Sequence, residues 1–286
     1  MSRFVKVEKW DCTEAEYFDG EAVGSSSICR ALGKAGPSPQ TGDLGNAIDH
    51  AVLRPHLFDA LVRVPPPECQ RGSGTGQQTR LKEWRAQQPE GAIILSPSDY
   101  ETALAVAKSA ENRRTLSWFQ GQPDVEIQQS WRAVDQETGL TIRLRPDVLR
   151  GRVIGDLKMS KSPDLPGFKR SVYSLLYFVQ AALYYDVLGA EEFWWLVVGN
   201  KGEHRVALYR CTDDLLELGR RAYSAGLDLI AHARFEKREH IPAWWEDRPL
   251  PLHDLESNEE PPVWLVKEII EYEDHAQRVS RLRGVG

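Results

Sequence analysis

Residues 141–158, TIRLRPDVLRGRVIGDLK, constrain this chain more than any other stretch. Two runs rich in Ile, Leu and Val flank Arg150-Gly151-Arg152, a pattern that predicts two adjacent strands joined by a tight turn. Asp147 then falls near the end of the first strand and Asp156 near the end of the second, so that their carboxylates converge. Residues i and i+2 share one face of a strand, which sets the ammonium of Lys158 beside Asp156. Charge among so many apolar neighbours is costly unless it is paired or bound to a cation. Converging carboxylate oxygens suit Mg2+ or Mn2+, and a nearby lysine can orient a metal-bound water or help deprotonate it. That is equipment for metal-assisted phosphodiester hydrolysis. A lone Asp-x-Lys is common on surface strands; the second acid and the apolar setting distinguish this one.

The 286 residues, 41% of them hydrophobic, can bury the core of one large domain with appendages. No apolar run is long enough to span a bilayer and the first residues mix charges with aromatics, so neither a membrane segment nor a secretory signal is expected, and a cytoplasmic location is the default. Cys12, Cys29, Cys69 and Cys211 are scattered without a CxxC pair, which favours reduced thiols over zinc or disulfides. A net charge of -6 argues against an all-over basic nucleic-acid surface but leaves room for a locally basic channel beside acidic metal ligands.

Along the chain, GSSSICRALGK predicts a short helix with Ser25–Ser27 as caps and Gly33 at its end. Alternatively one of these hydroxyls, such as Ser27, binds phosphate together with Arg30. Residues 34–42 read as a loop and 42–55 as a helix that Pro55 stops, its apolar face formed by Leu44, Ala47, Ile48, Ala51 and Val52. His50 lies beside that face, as a hydrogen-bonded core residue or as a ligand. An extended segment is expected over 56–67. The glycines of CQRGSGTGQQTR follow no strand and precede no GKS or GKT, so a mobile basic loop fits better than a P-loop. A helix over 80–88, a strand over 92–95 and a helix from Ser96-Pro97 to about residue 114 follow. Val125, Ile127 and Gln129 alternate as in a strand, and DQETG makes a hairpin turn. Glu126 then sits antiparallel to the strand carrying Asp147, as a third acid facing the metals or as an exposed side chain. Beyond a polar loop, one long helix runs to Leu188, closed by Gly189; Gln180 and Tyr184 share a face of it, and Gln180 requires a polar partner. Two further strands, 193–198 and 205–209, and an amphipathic helix over 213–239 complete a domain of residues 1–240. A Pro-rich acidic strap or linker is expected at 241–262, and at 263–286 a final helix that packs on the domain, self-associates or recruits a partner.

Taken in order, GNAIDHAVLRP, EIQQSW, RLRPDVL, VIGDLKMS and VQAALYYDVLG resemble the RecB-like branch of the PD-(D/E)XK nucleases, and most closely its RecE-type (exonuclease VIII) phage and prophage recombination exonucleases. The resemblance covers roughly residues 25–245 and rests on the order and spacing of five motifs. It implies an α/β fold with a restriction-endonuclease-like core, a mixed central sheet flanked by helices. It also implies that His50, Asp147, Asp156 and the backbone carbonyl of Leu157 hold one or two Mg2+ ions, with Mn2+ a substitute, and that Lys158 positions the attacking water. Gln180 and Tyr184 match the family's Q-x-x-x-Y signature, whose glutamine approaches substrate phosphate, and Glu126 matches a less uniform acidic position. Asp156 stands where many relatives carry Glu. Arg145 leads the candidates for phosphate contact, with Arg143, Arg30, Lys161 and Lys169. The implied activity is 5′ to 3′ digestion of one strand from double-stranded DNA ends, leaving 3′ overhangs for a single-strand annealing protein, by a ring-shaped homo-oligomer such as a trimer or tetramer. An iron–sulfur nuclease of this fold would need three downstream cysteines, and only Cys211 is present there. The alternatives are a DNA-binding module that lost its chemistry, against which His50, both aspartates and Lys158 speak, and an endonuclease, which closed circular DNA would reveal.

Overall fold

A computed structural model describes residues 2–18, 20–34, 39–70, 74–111 and 124–235. The expected strap at 241–262, the final helix at 263–286, and the far ends of the helices predicted to reach 114 and 239 lie outside these residues. The fold is mixed α/β. Its centre is a five-stranded sheet of β4 (Val125–Ile127), β7 (Val148–Arg150), β8 (Val153–Ser160), β9 (Glu192–Gly199) and β10 (Val206–Arg210), in the order β10-β9-β8-β7-β4. Only β8 and β9 run parallel, so the sheet is mixed. A separate antiparallel sheet pairs β1 (Phe4–Lys9), β5 (Trp131–Asp135) and β6 (Thr141–Leu144), β2 (Val62–Arg63) runs parallel to β3 (Ile93–Ile94), and the short α1 (Glu14–Phe18) follows β1.

Strand β9 shows why the sheet is covered on both faces. Its run FWWLVV alternates between two cores: Phe193, Trp195 and Val197 enter one, Leu196 and Val198 the other. A strand apolar at every position needs a partner layer on each side. The first core is closed by α2 (Ser25–Ala31), α8 (Leu165–Ser174), α9 (Tyr177–Leu188) and α10 (Asp213–Phe235), the second by α3 (Pro39–Leu53), α4 (Pro55–Leu61) and α7 (Pro97–Glu111). Fully buried Trp195, Phe168 and Phe193 anchor the first, each contributing about 1.5–3 kcal/mol on transfer from water. Helix α10 lies close against its neighbours because Gly219 and Gly226 carry no side chain: a Cβ at 219 would meet the Phe178 carbonyl and, at 2.5 Å, Ala182 Cβ, and one at 226 would meet Ile28 Cγ2 at 2.6 Å.

Several local expectations change, each for a backbone reason. Gly24 is the N-cap of α2 and makes no side-chain cap bond, so Ser25–Ser27 form the first turn instead of capping it. Helix α3 begins at Pro39, inside the expected loop, and Pro55 opens α4 where an extended segment was expected. Proline suits a first helical position because the N–H it lacks would have no intrahelical acceptor there. The Gly-rich stretch proves to lead into a helix: Gly74, at φ 95°, is the N-cap of α6 (Thr75–Ala86), after the short α5 (Pro67–Gln70). The long helix ending at Leu188 is two helices, α8 and α9, broken at Leu175 and Leu176, the latter left-handed at φ 54°. That conformation costs a leucine about 1–2 kcal/mol, offset by burying its side chain. The strands β3, β9 and β10, the turn between β5 and β6, and the Ser96 start of α7 lie where the sequence places them; Ser96 Oγ accepts from Asp99 N at 3.1 Å.

Candidate active site

The predicted hairpin exists, but only from Val148 onward. Arg150 pairs with Val153 across Gly151, which adopts φ 56°, and Val148 pairs with Gly155. The first half of the expected strand, β6, belongs to the other sheet. Pairing of β5 with β6 stops at Trp131 and Leu144, and pairing of β4 with β7 resumes at Ile127 and Val148, so 128–130 and 145–147 form a gap in one long bent hairpin. Pro146 supplies no donor for the ladder and Gln128 is left-handed at φ 49°, which together break it. The remaining rung is Gln128 N to Asp147 O at 3.0 Å. The gap frees Asp147 to reach across: its Oδ2 accepts from Leu157 N at 2.7 Å. Thus Leu157 meets the acid through its N–H.

On β8, Asp156 is buried and its Oδ2 lies 2.5 Å from Lys158 Nζ, as the i, i+2 relation requires. Helix α9 closes the set. Lys158 Nζ donates to Gln180 Oε1 at 3.0 Å, and Gln180 Nε2 donates to Asp156 Oδ1 at 3.0 Å, giving a closed triangle of acid, amine and amide. The Tyr177 ring centroid lies 4.9 Å from the same ammonium. One helical turn beyond Gln180, Tyr184 Oη accepts from Arg145 N at 3.3 Å. The polar partner that Gln180 requires is therefore the Asp156–Lys158 pair.

A further acid, Asp49, escaped the sequence reading. It lies on α3 beside His50, between Ile48 and Ala51 of the buried face, and its carboxyl stands in the field of Asp147, Lys158, Asp156 and Arg54. Arg54 donates to Gln128 Oε1, and the Gln128 side chain hydrogen-bonds Asp147, so α3 is tied to the gap. Burial raises the Asp49 carboxyl well above the usual range, and Asp147 adds to the rise. Burial and then Asp156 push Asp147 up to about 7, with Lys158, Leu157 N–H and Gln128 opposing. Burial also raises Asp156 against the pull of Lys158 and Gln180. For Lys158, burial favours the neutral amine, but Asp156 and Asp147 outweigh it and hold the ammonium protonated.

The carboxyls of Asp147 and Asp156, with Asp49 in their field, outnumber the one ammonium of Lys158, a shortage of positive charge that a divalent cation would relieve. Among the described residues no three His, Cys, Asp or Glu side chains draw close enough to form a ready-made metal cage. Mg2+ is commonly held by one or two carboxylates with waters completing the octahedron. The oxygen-rich donor set fits such an ion, with Asp147 and Asp156 as the acids nearest at hand and Asp49 and His50 alongside.

A cavity of about 510 Å3 opens beside this cluster, lined among others by Asp49, His50, Gln128, Arg145, Tyr184 and Phe18. Arg145 reaches it with its Nε on Ser130 Oγ at 2.8 Å and its guanidinium over the Tyr17 ring at 4.2 Å. Of the serines, Ser25 and Ser26 line the cavity while Ser27 and Arg30 do not. Arg143 is buried and donates to the Tyr17 carbonyl. Glu126 pairs with Lys9 at 2.9 Å, and Lys161 lines a different cavity with Lys201 and Arg205.

No family model matches the sequence, and no curated protein matches it. Among solved structures the chain is similar to a candidate exonuclease from Eubacterium rectale, at 14% identity and a TM-score of 0.55, covering 80% of this chain and 88% of that one. A second, SSO0001, aligns at 14% identity with a TM-score of 0.28 over 60% of this chain and 92% of that one. Among the described residues no helix is long and apolar enough to cross a membrane. The first of these similarities is one of fold: this chain shares its mixed sheet and flanking helices with that candidate exonuclease.

Proposed function

We propose that this protein is a metal-dependent deoxyribonuclease that digests linear duplex DNA from its ends. The observation that carries the reading is the convergence of Asp49, Asp147, Asp156 and Lys158 from α3, the broken hairpin and β8, closed by Gln180 from α9. Structural strand and helix residues do not need three carboxyls in one another's field beside one amine. Asp147 and Asp156, with His50 and Asp49 beside them, would hold Mg2+, and such an ion would supply Lewis acidity toward the scissile phosphate and the attacking water. Lys158, paired with Asp156 and bonded to Gln180, orients the attacking water by donation and offsets charge developing on the phosphate. Gln180 fixes the rotamers of both Asp156 and Lys158, and Arg145 at the cavity wall is placed to contact phosphate.

The order of motifs shared with the RecE-type enzymes supports the finer reading: 5′ to 3′ polarity, a 3′ overhang passed to a single-strand annealing protein, and a closed oligomer threaded by the duplex. The similarity in fold to a candidate exonuclease agrees with this class. The test is incubation with linear and with covalently closed circular DNA, in Mg2+ and in EDTA. Degradation of linear DNA alone, and in Mg2+ alone, is the expected result. Nicking of closed circles would make it an endonuclease, and binding without metal-dependent cleavage would make it an inactive module.

A further inference from the structure

Five large apolar side chains are exposed among the described residues, Val7, Phe18, Leu104, Leu165 and Leu175, and of these only Phe18 lines the cavity beside the acids. Its ring is 59% exposed, so it adds little to either core. It is nevertheless held in place. The buried Tyr17 ring meets it edge-on at 5.1 Å between centroids, and the Arg143 guanidinium lies 5.4 Å from its centre. Arg143 is itself fixed by its bond to the Tyr17 carbonyl, and Tyr17 is backed by Arg145 and by Trp10 at 6.0 Å. The exposed ring is thus backed by an aromatic and cationic support at a cavity within the roughly 300–1,000 Å3 range of small-ligand sites. Asp49, His50 and Tyr184 line the same cavity.

We propose that Phe18 is a stacking platform for an unpaired nucleobase at the end of the DNA strand being digested. Every base offers a π-face, so the platform is indifferent to sequence, as an end-directed nuclease requires. The guanidiniums of Arg143 and Arg145 favour the adjoining phosphates, and Asp49 lines the same cavity as the held base. This inference rests on the nuclease reading above and identifies how the strand end is held.

The test uses a short linear duplex carrying 2-aminopurine at one strand terminus, or at an internal position as control, bound in Ca2+ without Mg2+. Wild type should change the emission of the terminal probe and not of the internal one. Phe18→Ala should abolish that difference and bind the duplex roughly tenfold more weakly, Phe18→Trp should restore both, and the melting temperature of all three should agree. If Phe18→Ala binds and reports the terminal base as wild type does, or if no protein shows a terminal signal, the platform is refuted. Failure of the nuclease reading would be seen separately, as absence of Mg2+-dependent degradation by wild type.

Discussion

Removal of divalent metal should make the stability of this protein fall steeply with rising pH, and Asp147 sets the size of the effect. Its carboxyl is pushed up to about 7 in the folded chain, chiefly by burial and next by Asp156, against about 3.9 when unfolded. A carboxyl with a raised folded pKa binds more protons in the folded state than in the unfolded one. Stability therefore falls as pH rises from about 4 to about 7 and levels off above. Three units at about 1.4 kcal/mol each give about 4 kcal/mol as an upper bound for this group. About two of those units, roughly 2.6 kcal/mol, are lost between about pH 5 and about pH 8, which at about 2–4 °C per kcal/mol is a drop in Tm of up to about 10 °C in EDTA. Asp49 and Asp156 are raised by the same burial, so the transition belongs to the cluster as a whole. Bound Mg2+ would supply the missing charge, so the Tm gain on adding it should be largest near pH 8 and small near pH 5. Asp147→Asn removes one charge: in EDTA at pH 8 it should melt above wild type, with a flatter pH profile and a smaller response to Mg2+. Differential scanning fluorimetry across this pH range checks all three. A metal-free Tm that is flat or rises toward pH 8, with Asp147→Asn matching wild type, would refute the electrostatic reasoning.

Other perturbations separate structure from chemistry. Gln180→Ala deletes both bonds that hold Lys158 and Asp156 and should lower kcat about 10- to 100-fold with little change in Tm, read from initial rates and melting. Asp49→Asn should lower the affinity for Mg2+ in a titration of activity, whereas Glu126→Gln, whose acid pairs with Lys9, should leave that titration unchanged. Gly219→Ala forces α10 away from Phe178 and Ala182 and should cost at least about 1–3 kcal/mol in urea unfolding while leaving the acids in place. Ser96→Ala removes the cap of α7 and should cost about 1 kcal/mol in the same assay.

Much of this arrangement is legible in the sequence, and what is not has identifiable causes. The tight turn at Gly151, the i, i+2 relation of Asp156 and Lys158, and the i, i+4 relation of Gln180 and Tyr184 follow from local geometry, and the structure reproduces them. The gap that frees Asp147 does not. Pro146 is its one local mark, since it supplies no donor for the ladder, but the change of sheet also needs the partner strand, broken at left-handed Gln128. Leu176 is similar: nothing in SLLYF marks a left-handed residue, and tertiary burial selects it. Asp49 did carry a signal. It is an ionisable group flanked by Ile48 and Ala51 on an apolar helix face, a position that demands a polar destination, but the adjacent His50 drew the inference.

The central claim is that these acids and this amine cut DNA together with a divalent ion. The most direct measurement is the single-turnover rate on an end-labelled linear duplex in saturating Mg2+ for wild type, Asp156→Asn and Lys158→Gln, with DNA affinity measured in parallel. The account predicts that each variant binds DNA and loses at least about a thousandfold in rate. Cleavage by Asp156→Asn at the wild-type rate, or by wild type in EDTA, would contradict it.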